Sequence, residues 1–120
     1  MGALVKSRIS CKIWLEYNGK PLIGKGGAEI LEKIGEYHSI SKVAMELGMS
    51  YRYVWSYLKR IEKTLGEPVV KTYRGGRAGG GGAELTELGR QLLMEYKRVE
   101  KLLETILSEK NKVYHTFSEL

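Results

Sequence analysis

The chain of 120 residues has little of what several large classes of protein require. Cys11 is its only cysteine, which excludes an internal disulfide or a thiolate zinc cluster and fits a reducing compartment. Neither histidine, His38 or His115, has further metal-binding side chains at ligand spacing. No apolar run approaches the roughly 20 residues of a membrane-spanning helix, and residues 1–10 lack the apolar segment of a signal peptide. We therefore predict a cytoplasmic protein without a metal, a cofactor or a membrane partner.

The groups that enzymes use are also missing from the sequence. It shows no nucleophile with an adjacent base, no carboxylate pair arranged for acid–base chemistry and no cluster of metal ligands. We predict that the protein is not an enzyme and assign no catalytic residue. Nor can a pocket for a small-molecule effector be identified from the sequence.

Positive charge is present in excess and is concentrated in one part of the chain. The net charge is +6, and residues 40–82 carry eight lysines and arginines against three glutamates, which accounts for five of the six excess charges. A cationic excess confined to one motif is typical of a surface that meets the phosphates of nucleic acid. Residues 83–120 have a net charge of −1, which separates this region from the basic one.

The first elements are predicted to be a hairpin and a helix. Residues 8–24 alternate apolar and polar side chains around Asn18-Gly19, which predicts strands at 9–16 and 20–24 joined by a tight turn. Cys11 is then interpreted as a small, partly buried residue of the first strand. Apolar residues at helical spacing predict a helix at 26–37.

The central motif is a pair of helices with a tight turn between them. Ser41 is predicted to cap a helix at 41–47, Gly48 to end it in a left-handed conformation, and Ser50 to cap a second helix at 50–65. The second helix has an apolar stripe at spacings of four, three and four, formed by Val54, Leu58, Ile61 and Leu65. Helix, glycine turn, cap and helix is the pattern of a helix-turn-helix.

A wing follows the helix pair in the sequence. Residues 69–73 and 83–85 are predicted as strands, and residues 74–82 between them consist largely of glycine with two arginines. The predicted fold class is mainly α with small β: a winged helix-turn-helix with an N-terminal β-hairpin and a long C-terminal dimerisation helix. We predict a DNA-binding domain at 1–85, a dimerisation helix at 86–110 and a tail at 111–120.

The predicted DNA-contacting surface combines the second helix of the motif with the wing. The N-terminal part of a recognition helix usually reaches base edges, so Tyr51, Arg52 and Ser56 are candidates for base readout, with Arg52 suited to guanine. Trp55 can belong either to the core or to the DNA-contacting surface, and the sequence does not decide between the two. The wing arginines can follow a phosphate backbone or enter a minor groove, and the alternative is an exposed loop without a role. The predicted DNA-binding residues are Ser41, Lys42, Ser50, Tyr51, Arg52, Trp55, Ser56, Lys59, Arg60, Arg74 and Arg77.

The last helix carries an apolar stripe that a small winged domain does not need. Thr86 is its predicted cap, and apolar residues follow at spacings of four and three. Such a stripe on a protruding helix most simply meets its copy in a twofold homodimer, and the alternative is a helix lying back on its own domain. The predicted dimerisation residues are Leu92, Tyr96, Val99, Leu103 and Ile106.

Two runs, residues 39–63 and 69–93, resemble the N-terminal domain of the molybdate-responsive, ModE-type regulators, and the resemblance covers about residues 12–107. Residues 58–70 more distantly resemble LysR-type regulators. The most specific matching residues are the cluster at the start of the second helix of the motif and the run after the wing: Ser50, Tyr51, Arg52, Trp55, Leu85, Thr86 and Gly89. The resemblance implies a dimeric winged helix and regulation of transcription by operator binding. ModE-type regulators sense molybdate through C-terminal oxyanion-binding domains, and because we expect those domains to be absent, molybdate sensing is not carried over.

The leading hypothesis is a sequence-specific, homodimeric transcriptional regulator that binds double-stranded DNA. One alternative is an architectural protein that coats DNA with little sequence preference, which would not need the hydrogen-bonding groups of Tyr51, Arg52 and Ser56. Another is a protein-interaction module, for which DNA affinity should be weak and almost wholly sensitive to salt.

Overall fold

The computed structural model describes residues 8–74 and 81–119, with side chains described as far as Asn111. Two small antiparallel sheets alternate with helices along the chain. The elements are β1 (Leu15–Tyr17), β2 (Lys20–Ile23), α1 (Lys25–Tyr37), α2 (Ile40–Leu47), α3 (Tyr51–Leu65), β3 (Val70–Tyr73), β4 (Gly82–Leu85) and α4 (Glu87–Glu119).

The N-terminal hairpin forms around the predicted turn but is shorter than predicted. Asn18 and Gly19 both have positive φ, 51° and 75°, as a type I′ turn requires, and Tyr17 pairs with Lys20 across it. The predicted strand at 9–16 is wrong for most of its length, because β1 begins only at Leu15. Residues 8–14 lie along α4 instead: Ile9 is hydrogen-bonded to Asn111, and residues 11–14 line a groove with α4. All of them except Ile13 are exposed, so their alternating pattern does not mark a buried face.

Cys11 also differs from its prediction. The thiol lies in residues 8–14, outside any strand, and is exposed rather than partly buried. The interpretation as a strand residue with one inward face failed because β1 does not extend back to residue 11. The partner strand β2 forms, but its pairing with β1 ends at Leu15.

The helix-turn-helix is confirmed, with one change at its first cap. The Ser50 hydroxyl accepts a hydrogen bond from the Tyr53 N–H at 3.0 Å, as predicted, and Gly48 ends α2 with φ 66°. Ser41 is not the cap of α2. Ser39 is, because its hydroxyl accepts from the Lys42 N–H at 3.1 Å, and α2 therefore begins at Ile40.

One apolar core joins α1, α2, α3, the hairpin and the wing, and we refer to the unit built on it, residues 15–74 and 81–97, as the head. The inward stripe of α3 is confirmed: Val54, Leu58 and Ile61 are buried, and Leu65 is partly buried. The largest fully buried side chains are Ile23, Ile30, Leu31, Ile34, Val43, Val54, Ile61 and Val69.

The wing and α4 are joined at the base of the sheet. β3 and β4 pair in antiparallel register from Val70–Leu85 to Tyr73–Gly82. Thr86 caps α4 as predicted, since its hydroxyl accepts from the Gly89 N–H at 3.0 Å while it donates to the Pro68 carbonyl at 2.9 Å. Residues 75–80, which include Arg77, lie outside the described residues.

The last helix is longer than predicted. It does not end at residue 110 but runs to Glu119, 33 residues in all. Residues 90–120 contain no glycine or proline, so nothing in the sequence of the predicted tail breaks the helix.

Candidate nucleic-acid interface

The outward face of α3 is polar and cationic. At 100° per residue, positions 52, 56, 59 and 63 fall opposite the buried Val54 and Leu58. Arg52, Ser56 and Lys63 are exposed, and no salt bridge to Arg52 or Lys63 occurs among the described residues. Lys63 was not among the predicted contacts, although its spacing of four from Lys59 could have identified it.

The N-terminus of α2, the start of α3 and the wing meet in a polar cleft. The cleft has a volume of about 230 Å³ and is lined by Ser39, Ile40, Ser41, Tyr51, Thr72, Tyr73, Gly81 and Gly82. The structure thus brings two predicted contacts, Ser41 and Tyr51, together beside the wing. The partial positive charge of the α2 N-terminus lies at the same place, which suits a phosphate group.

Lys42 and Ser50 are placed differently from the other predicted contacts. The Lys42 ammonium lies 4.8 Å from the centre of the Tyr37 ring, so this side chain stacks on the end of α1. Ser50 is exposed, but its hydroxyl accepts the capping hydrogen bond of α3. Its role in the structure is to cap the N-terminus of α3.

Trp55 is neither a core residue nor a freely exposed one. It is 43% exposed and lines a groove of about 240 Å³ between α3 and β3. The Lys59 ammonium lies 5.4 Å from its ring and 3.1 Å from Glu62. Lys59 is therefore held along the helix surface by an aromatic and a carboxylate of its own helix.

Tyr57 fixes α3 to the hairpin. Its hydroxyl donates to the Leu22 carbonyl at 3.4 Å, and burial raises the pKa of the hydroxyl. A Cβ at Gly27 would collide with that hydroxyl, so the glycine allows α1 and α3 to approach closely. On its outer side, Tyr57 carries the Arg60 guanidinium 4.9 Å from its ring centre, which places Arg60 at the flank of α3 rather than on its outward face.

The wing contributes further exposed groups. Arg74 is exposed immediately after β3, and Tyr73 before it is 50% exposed. Lys71 pairs with Glu84 across the two strands at 3.4 Å, so its charge is partly neutralised. The predicted contact at Arg77 lies outside the described residues.

The predicted dimerisation stripe divides into two parts. Tyr96 is only 2% exposed, because it packs in the core of its own chain together with the partly buried Leu92. The alternative of a helix lying on its own domain therefore holds for this first part. Val99 and Leu103 are partly buried, whereas Ile106 and its neighbour Leu102 are 54% and 55% exposed.

A salt bridge fastens α4 to α1 at the boundary between these parts. The Lys97 ammonium pairs with Glu32, and this hydrogen-bonded contact raises the pKa of Lys97. On the exposed side of α4 at the same turn, the hydrogen bond from Arg98 lowers the pKa of the Glu95 carboxyl.

In the part of the chain that the structure describes, no three His, Cys, Asp or Glu side chains are grouped so that they could hold a metal ion. None of the helices in this described part is sufficiently long and apolar to cross a membrane.

Comparison with known proteins identifies the family. A model described as bacterial regulatory helix-turn-helix protein, lysR family, matches residues 27–90. The chain is 40% identical over 85 residues to the molybdenum-pterin-binding protein MopB of Rhodobacter capsulatus, covering 68% of this chain and 31% of MopB. It is 34% identical over 71 residues to the molybdenum transport protein ModE of Azotobacter vinelandii, covering 59% of this chain and 26% of that protein. The chain therefore spans less than a third of the length of these relatives, and the similarity confirms the resemblance to ModE-type regulators.

Solved structures agree with the fold. ArgP from Mycobacterium tuberculosis superimposes with a TM-score of 0.52 at 21% identity, covering 70% of this chain and 29% of that one. A variant of ZitR from Lactococcus lactis superimposes with a TM-score of 0.55 at 20% identity, covering 98% and 84%. At these identities the two structures show a shared fold. Because the family model matches more than half of its length, the chain belongs to the lysR family of bacterial regulatory helix-turn-helix proteins, which are DNA-binding transcriptional regulators.

Proposed function

We propose that the chain binds double-stranded DNA sequence-specifically as a homodimer, with α3 in the major groove and the wing on the backbone or in the minor groove. The observation that carries the proposal is the exposed Arg52 and Ser56 at the start of α3, beside the cleft that joins α2 and the wing. These groups occupy the part of a recognition helix that usually reaches base edges.

The roles of the cationic side chains follow from their positions. Arg52, without a salt-bridge partner in the described part of the chain, can present its guanidinium to the O6 and N7 atoms of a guanine. Lys63 on the same face, Arg60 at the flank and Arg74 on the wing are suited to phosphates. Lys59 must leave Glu62 to contact DNA, so its contribution is smaller than its position suggests.

The homodimer is proposed from the exposed part of α4. Leu102 and Ile106 are more than half exposed on a helix that continues to Glu119. Pairing this face with its copy removes the apolar surface from water and presents two recognition helices to one face of the DNA. Half-sites should then lie one helical turn apart, about 34–36 Å.

The test is a selection of bound sequences from a random pool of DNA duplexes, followed by affinity measurements over a range of salt concentrations. We expect an inverted repeat with half-sites one turn apart. Recovery of no common sequence, with binding that disappears as salt rises, would favour the DNA-coating alternative. Negligible DNA affinity at low salt would favour the protein-interaction module.

Variants of α3 test the assignment of base readout. Arg52→Ala should weaken binding to the selected sequence by about 5- to 150-fold, because a bidentate contact to a base is worth ~1–3 kcal/mol of discrimination. It should change binding to random DNA much less. Lys63→Ala should weaken both alike and reduce the salt dependence by about one ion.

The matched control is Arg98→Ala, which removes an exposed arginine from the surface of α4. It should leave both affinities unchanged. Equal losses on selected and random DNA for Arg52→Ala would show that Arg52 contacts the backbone and does not read a base.

A further inference from the structure

Residues 8–14, which we term the N-terminal strap, are attached to α4 by one side chain. The Ile9 N–H donates to Asn111 Oδ1 at 2.9 Å, and Asn111 Nδ2 donates to the Ile9 carbonyl at 3.3 Å. Asn111 is only 8% exposed. Its amide therefore satisfies both backbone groups of Ile9, as a neighbouring strand would.

This attachment is far from the region where α4 packs on the head. Asn111 follows Tyr96 by about 22 Å along the helix at 1.5 Å per residue. Beyond the Lys97–Glu32 salt bridge, the Ile9–Asn111 pair supplies the only hydrogen bonds that join α4 to another segment within the described residues. Between the two attachments, the strap and α4 line a groove of about 560 Å³.

The strap leads directly to the recognition helix through the hairpin. β1 follows the strap and pairs with β2, whose Leu22 carbonyl accepts a hydrogen bond from Tyr57 of α3. Because the strap is connected to α3 in this way, a change in the angle between α4 and the strap would also change the angle between α4 and α3. The two ends of this connection, Asn111 and Tyr57, are each partly or fully removed from solvent.

We propose that Asn111 is a positioning residue that sets the half-site spacing the dimer accepts. By holding the strap against α4, it fixes the angle at which the dimer-forming part of the helix leaves the head. The remaining length of α4 after Tyr96 is about 35 Å, so a tilt of about 10° moves the helix end by about 6 Å. That displacement is nearly two base-pair steps of about 3.4 Å. The spacing role rests on the proposed DNA-binding dimer, whereas the attachment of the strap does not.

The attachment can be measured without DNA, because Cys11 is the only cysteine and lies exposed on the strap. A nitroxide attached to Cys11 should be restrained in the parent chain and markedly more mobile in Asn111→Ala. The matched control is Lys110→Ala, which changes the exposed neighbour of Asn111 and should leave the label unchanged.

A variant on the other side of the contact keeps the test decisive if Asn111→Ala folds poorly. Ile9→Pro removes the backbone N–H donor without altering α4, and it should also free the label. Asn111→Asp keeps the acceptor oxygen but loses the donor, so the label mobility should be intermediate. Equal label mobility in the parent chain, Asn111→Ala and Ile9→Pro would overturn the attachment. The attachment within one chain would also be overturned if the label became mobile on dilution to monomer, because the strap would then contact the helix of the partner molecule.

The spacing role is tested on duplexes that carry two selected half-sites at varied separations. For each variant, the affinity for the best spacing is divided by the affinity for a spacing changed by two base pairs. In Asn111→Ala this ratio should fall about fivefold, because roughly one net hydrogen bond is lost. Affinity for an isolated half-site should not change. An unchanged spacing preference with a freed label would overturn the positioning role alone. Absence of sequence-specific binding by the parent chain would overturn both the proposed function and the spacing role, while the label measurement would still decide the attachment.

Discussion

The head and the distal part of α4, residues 98–111, contain similar aliphatic side chains in very different surroundings. Leu31 and Val54 in the head are fully buried, whereas Leu102 and Ile106 on α4 are 55% and 54% exposed. Hydropathy patterns alone do not separate these two groups, since both lie on amphipathic helices. The head closes its apolar faces with its own elements. Among the described residues, the distal part of α4 forms hydrogen bonds with another segment only at the strap.

From this difference we infer that stability resides in the head and that the proposed assembly resides in the distal part of α4. The core of the head is enclosed by the hairpin, the wing, α1 to α3 and the first part of α4. In the proposed dimer, the distal helix gains a comparable environment from a second molecule. Substitutions in the two regions should therefore affect different measurements, and three experiments examine that separation.

The largest expected effect is on the stability of the head. Leu31→Ala should lower the free energy of unfolding by about 2–5 kcal/mol, because it removes a buried side chain and leaves a cavity. Leu102→Ala, the same change at an exposed position, should stay within about 0.5 kcal/mol when measured on dilute monomer. Urea denaturation followed by circular dichroism measures both. Similar losses for the two variants would remove the distinction between the regions.

A smaller effect is expected on assembly. Ile106→Glu places a charge on the exposed apolar face of α4 and should weaken dimerisation about 10- to 100-fold, corresponding to ~1.5–3 kcal/mol for one large buried side chain. Sedimentation equilibrium measures the dissociation constant. Stability of the dilute monomer should not change.

The control for assembly introduces the same charge outside the apolar stripe. Ser108→Glu lies on an exposed part of α4 and should leave the dissociation constant nearly unchanged. Equal weakening by Ser108→Glu would attribute the effect to net charge. A monomeric parent chain would contradict the proposed dimer directly.

Much of the head could be predicted from the sequence because its signals are local. Asn18-Gly19, Gly48, Ser50 and Thr86 each specify a turn or cap through their own backbone or side chain, and all four were placed correctly. The choice of Ser39 over Ser41 as a cap was missed, because both serines stand at a possible helix start and the burial of Ile40 decides between them.

Contacts between distant segments could not be predicted in the same way. The strap was predicted as a strand because its alternation carries no information about whether a sheet or a helix will lie beside it. Tyr96 was assigned to a dimer because the heptad spacing continues past the point where α4 leaves the head. The flanks of α3 show the same limit, since the contacts of Tyr57 with Gly27 and Leu22 join residues about 30 positions apart.

The smallest expected effect concerns the packing of α3 on the hairpin, where the head meets the proposed DNA surface. Burial raises the pKa of Tyr57 above its ordinary value near 10, so the folded chain keeps the phenol proton at a pH where the unfolded chain loses it. This stabilisation is fully present below pH of about 10 and is lost as pH rises through the raised pKa.

Tyr57→Phe should lower the free energy of unfolding near neutral pH by about 1 kcal/mol and make its decrease above pH of about 10 less steep. The decrease should not vanish, because burial also raises the pKa of Tyr96. Tyr51→Phe, at an exposed tyrosine on the same helix, is the matched control and should keep the parent's alkaline decrease. If Tyr57→Phe and the parent chain lose stability equally between pH of about 9 and 11, the phenol is not held in the interior. The buried surface of α3 would then be limited to its apolar stripe and would not include the flank that carries Tyr57.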